Sequence, residues 1–177
     1  MNRISIVGNS GSGKSTLAKQ ISQQLGHARL ELDAVNHQPN WTPLPRDDFE
    51  ERVDTFMDTH ECWVIDGNYS AVRERIWARA DAVIWMSPGR LENMRSILWR
   101  TFRRGVLREE LWNGNRETLD NFRYLNDPDR SVIAWAWTQH EKYQERYSAA
   151  MRDPQWGHLR FVRMRSRASA AAWVASL

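Results

Sequence analysis

Apolar residues along this chain fall into short runs separated by longer amphipathic stretches. The runs are Ile4-Ser5-Ile6-Val7, Ala28-Arg29-Leu30-Glu31-Leu32, Cys62-Trp63-Val64-Ile65, Ala82-Val83-Ile84-Trp85-Met86 and Leu159-Arg160-Phe161-Val162. Their length and their β-branched and aromatic content predict strands. The stretches between them have helical spacing: Ser15 to Leu25, Arg46 to about Thr59, Ser70 to about Arg79, Pro88 to about Arg104, Ser131 to Met151, and an alanine-rich tail from about Ala168. Asp47, Asp48, Glu50 and Glu51 load the first turns of the second of these helices, where the helix dipole favours negative charge. Pro39, Pro43 and Pro45 mark one loop, and Gly105 to Leu119 reads as a second, polar and irregular one. Strands alternating with helices predict an α/β fold, a parallel sheet covered on both faces. Such sheets bind ligands at the carboxyl ends of their strands. The 177 residues show no internal repeat or linker, so a single domain over 1–177 is expected.

The first strand and helix flank Gly8-Asn9-Ser10-Gly11-Ser12-Gly13-Lys14-Ser15-Thr16. This fits G-x-x-x-x-G-K-[ST], the phosphate-binding P-loop, in the strand–loop–helix setting the motif requires. Glycines let consecutive N–H groups turn toward an anion, and the helix N-terminus adds further donors. Residues 8–16 are therefore expected to bind ATP, with Lys14 reaching the β- and γ-phosphates and the Ser15 hydroxyl ligating Mg²⁺. Two carboxylates close strands at the same edge. Asp33 follows the second strand and is a candidate to orient an acceptor hydroxyl or take its proton. Asp66 follows the third strand and is a candidate for the Mg²⁺ shell. Arg100, Arg104 and Arg116 lie in or beside a polar segment, about 104–119, that reads as a lid carrying positive charge over the transferred phosphoryl group and excluding water. Such a lid is expected to be more mobile than the strands until ligand binds.

Composition changes the picture in three places. The net charge is only +3, but among 25 basic residues only Lys14, Lys19 and Lys142 are lysine. Arginine forks suit phosphate, although GC-rich coding inflates arginine in the same way. The single cysteine, Cys62, excludes an internal disulfide and is compatible with a reducing cytoplasm. The five histidines lack metal-ligand spacing, and no apolar run reaches membrane-span length. Of ten tryptophans, Trp63, Trp77, Trp85 and Trp137 read as core, and Trp41, between prolines, as a pocket wall.

The P-loop taken with Glu31-Leu32-Asp33-Ala34, Gln38-Pro39-Asn40-Trp41, Trp63-Val64-Ile65-Asp66-Gly67-Asn68-Tyr69 and Trp112-Asn113-Gly114-Asn115-Arg116-Glu117 resembles the bacterial DNA topology modulation (FlaR-like) proteins, within the adenylate-kinase-like P-loop kinases. The resemblance runs from the first strand to about residue 120. It implies a three-layer fold with five parallel strands in the order 2-3-1-4-5, an ATP–Mg²⁺ donor site, an acceptor region and an arginine-bearing lid. By the same analogy adenine lies near Arg165-Ser166-Arg167. Asp66-Gly67 also resembles adenylate kinase, but Asn68-Tyr69 replaces the Phe-Pro-Arg that follows there, which argues against a nucleoside monophosphate acceptor. Asp33 resembles shikimate kinase, but Glu31 stands two positions earlier, which argues against shikimate.

Three functions compete at this point: a small-molecule kinase with ATP and an unidentified acceptor, an ATP-switched DNA-binding regulator, and a P-loop NTPase without an acceptor. The kinase is favoured. No helix-turn-helix, zinc-finger or RRM signature supports DNA as partner, and acidic residues Glu109, Glu110 and Glu117 interrupt the arginines. No Asn-Lys-x-Asp motif marks a guanine enzyme.

Overall fold

The apolar runs become the strands of one sheet. The computed structural model describes residues 1–177, with strands β1 (Arg3–Gly8), β2 (Ala28–Glu31), β3 (Trp63–Asp66), β4 (Ala82–Met86) and β5 (Arg160–Met164). All neighbours pair in parallel, and the order across the sheet is β2-β3-β1-β4-β5. This is the order the family resemblance implies. β3 and β4 are buried throughout, β1 is buried from Ile4 onward, and the edge strands β2 and β5 are partly exposed. Seven helices connect them: α1 (Lys14–Leu25), α2 (Leu32–Asn36), α3 (Arg46–Thr59), α4 (Ser70–Arg79), α5 (Arg90–Leu107), α6 (Val132–Ala150) and α7 (Arg167–Val174). None is long and apolar enough to cross a membrane.

Alternation along each strand divides the core in two. Ile4, Ile6, Val64, Ile84 and Met86 pack with Leu17, Ala18 and Ile21 of α1 and Ala170 and Val174 of α7. Val7, Trp63, Ile65, Val83 and Trp85 pack on the other face with α3, α4 and α6. Trp63, Trp77 and Trp85 are fully buried there. Truncating one of them to alanine costs about 3–5 kcal/mol. Trp137 departs from the core expected of it. It stands half exposed on α6 with the Arg90 guanidinium 4.2 Å from its ring centre.

Two boundaries differ from the sequence pattern. The chain leaves the sheet at Glu31 and coils at once into α2, so Asp33 lies in the first turn of a short helix rather than at a strand end. Leu32 is the reason: it is buried, and Gly67 leaves it room, since a Cβ there would come within 2.7 Å of the Leu32 Cβ. Helix α5 continues through Gly105 to Leu107. That glycine admits Leu119, which folds back against it and would meet a Cβ at 2.6 Å. The segment 104–119 therefore begins in a helix and returns along it.

Candidate active site at the carboxyl edge of the sheet

The loop from Gly8 to Gly13 connects the buried end of β1 to α1, and its shape requires its glycines. Gly8 has φ 151° and Gly13 has φ 97°. A Cβ on Gly8 would meet the Met86 carbonyl oxygen at 2.5 Å. Side chains fix the loop from outside. The Asn9 amide donates to the Ala136 carbonyl of α6 (2.6 Å), and its oxygen accepts from the Ser10 N–H (2.8 Å). Asn93 donates to the Ser10 carbonyl (2.9 Å) and Arg167 to the Gly11 carbonyl (2.6 Å). Asn68 brackets Gly8, accepting from its N–H (3.0 Å) and donating to its carbonyl, and Tyr147 donates to the same Asn68 oxygen (2.9 Å). The carbonyls are thereby turned outward and held. The N–H groups of Gly11, Gly13, Lys14, Ser15 and Thr16 have no acceptor in the protein. Five unpaired donors at a loop and helix N-terminus form a ready anion cradle, with the buried Lys14 beside them.

Asp66 stands in register with Ile6 of β1 and Glu31 of β2 and is 1 % exposed. Arg29 donates twice to its Oδ1 (3.2 and 3.1 Å) and also pairs with Glu31 (3.0 Å). Oδ2 is buried without a partner. Burial pushes the Asp66 carboxyl above its ordinary value, opposed by Arg29, the Ser15 hydroxyl and the Lys14 ammonium. A buried carboxylate oxygen without a hydrogen-bond partner fits the oxygen-ligand preference of Mg²⁺. Glu31 belongs to this network, a role its sequence position did not signal.

Asp33 accepts a hydrogen bond from the Tyr69 hydroxyl at 2.8 Å, and His37 Nε2 lies 3.3 Å from that hydroxyl. Burial and the adjacent Asp33 push the Tyr69 hydroxyl well above its ordinary value, so it stays a neutral donor. The second Asp33 oxygen takes no partner from the protein. Tyr69 thus orients the carboxylate and leaves one oxygen available.

The arginines separate. Arg104 donates to Glu117 at 2.7 Å, and Arg100 lies 3.9 Å from the same oxygen. The Glu117 side chain is 10 % exposed and its other oxygen has no partner. Burial lowers the Arg100 pKa; Glu117 and Asp33 oppose that shift, while Arg104 and Arg167 add to it. Arg100 and Arg104 thus share Glu117, and Arg167 holds the P-loop separately through the Gly11 carbonyl. Arg116 stands at the surface, half exposed and paired with Glu110 at 3.2 Å.

The segments 34–41 and 112–117 are joined by two asparagines. Asn113 donates to the carbonyls of Ala34 (3.2 Å) and His37 (2.6 Å). Asn115 donates to the Gln38 carbonyl (2.9 Å) and accepts from the Trp41 N–H (2.9 Å). Asn40, Trp41 and Asn113 all adopt left-handed backbone. His37, Trp41 and Trp112 pack with ring centres 5.3 to 6.5 Å apart, forming an aromatic wall. Asn68, Tyr69, Glu117 and Arg167 are the site residues that sequence reasoning did not assign to these tasks. Three of the four lie in the blocks that carried the family resemblance, which was the one signal available.

No family model matches the chain, and no curated protein matches it. Solved structures share its fold. A gluconokinase from Sinorhizobium meliloti 1021 aligns with a TM-score of 0.54 and 19 % identity, covering 99 % of this chain and 92 % of that one. A shikimate kinase from Acinetobacter baumannii, in complex with shikimate, aligns at 0.53 and 14 %, covering 99 % and 90 %. One from Bacteroides thetaiotaomicron aligns at 0.55 and 12 %, covering 99 % and 95 %. The chain thus shares its fold with these gluconokinase and shikimate kinase structures.

Proposed function

We propose that this chain is an ATP- and Mg²⁺-dependent kinase that transfers the γ-phosphoryl group of ATP to a small acceptor bearing a hydroxyl or phosphate. One observation carries the reading: a P-loop with five unpaired N–H groups shares its edge of the sheet with two carboxylates of opposite design. Asp66, buried and with a bare Oδ2, suits a metal. Asp33, oriented by Tyr69, suits an acceptor hydroxyl. A simple NTPase has no need of the second carboxylate or of the aromatic wall beyond it. The likeness to gluconokinase and shikimate kinase supports the same class.

In this mechanism residues 8–16 hold the phosphates, and Lys14 neutralises charge that builds on the transferred group. Ser15 and Asp66 would hold Mg²⁺, which supplies further neutralisation of the β- and γ-phosphates when bound. Asp33 accepts the acceptor proton as the new P–O bond forms. Arg100 and Arg104 contact the phosphoryl group once it competes with Glu117 for them. Arg116, paired with Glu110, is left out of that step. The Asp66–Tyr69 and Asn113–Glu117 blocks support a place in the FlaR-like group, and the lone Cys62 supports a cytoplasmic setting.

DNA as partner is the weaker reading, because Arg100, Arg103, Arg104, Arg116 and Arg123 are all engaged by acidic side chains. The test is ADP release from MgATP across a panel of sugars, polyols, hydroxy acids and nucleosides, with a gel-shift titration at physiological salt in parallel. Acceptor-stimulated ADP release with weak, salt-sensitive DNA binding is expected. Tight sequence-selective DNA binding without any stimulated turnover would overturn the proposal.

A further inference from the structure

Helix α5 buries one face and leaves an apolar one exposed. Asn93, Ile97 and Thr101 face inward and are buried. On the opposite side Leu91, Leu98, Trp99, Phe102 and Val106 lie within an arc of about 100°, interrupted only by Arg95. They are among the most exposed large apolar residues of the chain: Leu91 is 83 %, Trp99 66 % and Val106 53 % exposed. The stripe runs about 22 Å along the helix and presents apolar surface on the order of several hundred Å². Patches of that size mark interaction sites.

We infer that this face pairs with a second copy of the chain, the two α5 helices packing antiparallel about a two-fold axis beside Leu98 and Trp99. The sequence of the stripe fits this register. Leu91 then meets the partner's Val106, Leu98 meets the partner's Trp99, and Arg95 lies over the partner's Phe102 as a cation on an aromatic face. Glu92 and Arg103 occupy the same flank of the stripe. Antiparallel two-fold pairing brings each Glu92 to the partner's Arg103, which exchanges its own exposed pair with Glu109 (3.1 Å) for one across the seam, giving two symmetric ion pairs. A parallel two-fold pairing carries that flank to opposite sides of the seam, so Glu92 and Arg103 do not meet and no ion pair forms. A membrane surface is the other home for an apolar helix face, but membrane helices carry their cations on the polar side, whereas Arg95 sits mid-stripe and Glu92 at its margin. This inference is independent of the kinase reading. It also bears on the site, since Arg100 and Arg104 project from the other side of the same helix.

The experiment is sedimentation velocity over a concentration series to about 100 µM, above the range in which interfaces of this size associate. A species of twice the 20.8 kDa chain mass is expected. Trp99→Glu should weaken it by roughly a hundredfold or more. Glu92→Arg and Arg103→Glu should each weaken it by about tenfold, and the double exchange should restore it. Thermal melts and circular dichroism check that each variant folds. A monomer throughout, a dimer indifferent to Trp99→Glu, or failure of the double exchange to rescue overturns the inference. So does a monomer that floats with anionic phospholipid vesicles through this face.

Discussion

The floor and the lid of the candidate site are built from different materials. The floor, residues 8–16, takes its shape from backbone: glycines with positive φ, a buried strand before it, a helix after it, and side chains that lock its carbonyls outward. The lid and acceptor wall, residues 33–41 and 104–119, take theirs from side-chain pairs. Asn113 and Asn115 join the two segments, and Glu117 occupies the arginines. Each of those bonds can be exchanged for one to a ligand at small net cost. Under the proposed function that difference would leave binding to the floor and commitment to the lid, so that water is kept from the transferred phosphoryl group.

Removing the floor's charge gives the largest expected effect. Lys14→Ala should lower acceptor-dependent turnover by about 10³-fold or more, measured as ADP release. Calorimetry should show weaker ATP binding alongside. Equal affinity and equal turnover in the two proteins would separate the floor from the chemistry. Asp33→Asn should follow, with kcat lowered about 10²- to 10⁴-fold and ATP affinity unchanged, because the acceptor's proton loses its base while the cradle is untouched. A parallel loss of ATP binding would merge the two regions that are here held distinct.

Glu117→Gln addresses the lid alone. Glutamine keeps the shape and removes the charge that Arg104 and Arg100 share. Loss of this partly buried pair should cost about 2 kcal/mol, a Tm drop of about 4–8 °C. Inorganic phosphate should then raise the Tm of the variant more than that of the parent, since the freed guanidinium groups gain a new anion. Hydrogen exchange should quicken in 108–119 and not in the strands. Equal response to phosphate in both proteins would mean that Glu117 does not compete with ligand.

The floor was legible in the sequence and the lid only in part, for the same physical reason. Glycine positions, a buried strand and a helix start leave fixed spacing in the chain, so the loop from Gly8 to Thr16 could be located between strand and helix. Asp33 and Asp66 could be picked out as candidates because apolar strands end near them, even though Leu32 draws Asp33 into a helix. Side-chain pairing leaves no such spacing. Nothing in the chain tells that Asn68 holds Gly8, that Glu117 rather than a phosphate engages Arg104, or that Arg167 reaches back to Gly11 across 156 residues. Trp137 shows the same limit from the other side: its helical spacing reads as core, yet it stands half exposed with Arg90 over its ring.

The smallest expected effect is a pH dependence at Asp66, where the floor adjoins the proposed metal site. Burial raises its carboxyl pKa in the folded protein above that of the unfolded chain. The folded state therefore holds this proton to a higher pH than the unfolded state does. The contribution to stability is fully present below the unfolded value and is lost as pH rises through the folded one. A divalent cation must displace the same proton, so its binding should tighten over that window and level off above it. Titrating Mg²⁺ into the ADP complex from pH of about 4 to 7, with Asp66→Asn as the control, isolates this group from the phosphates. In the parent, affinity should rise with pH more steeply than in the variant, which keeps only the titration of the nucleotide. Coincident curves would remove Asp66 from the metal site and leave Ser15 as the sole side-chain ligand that the P-loop supplies.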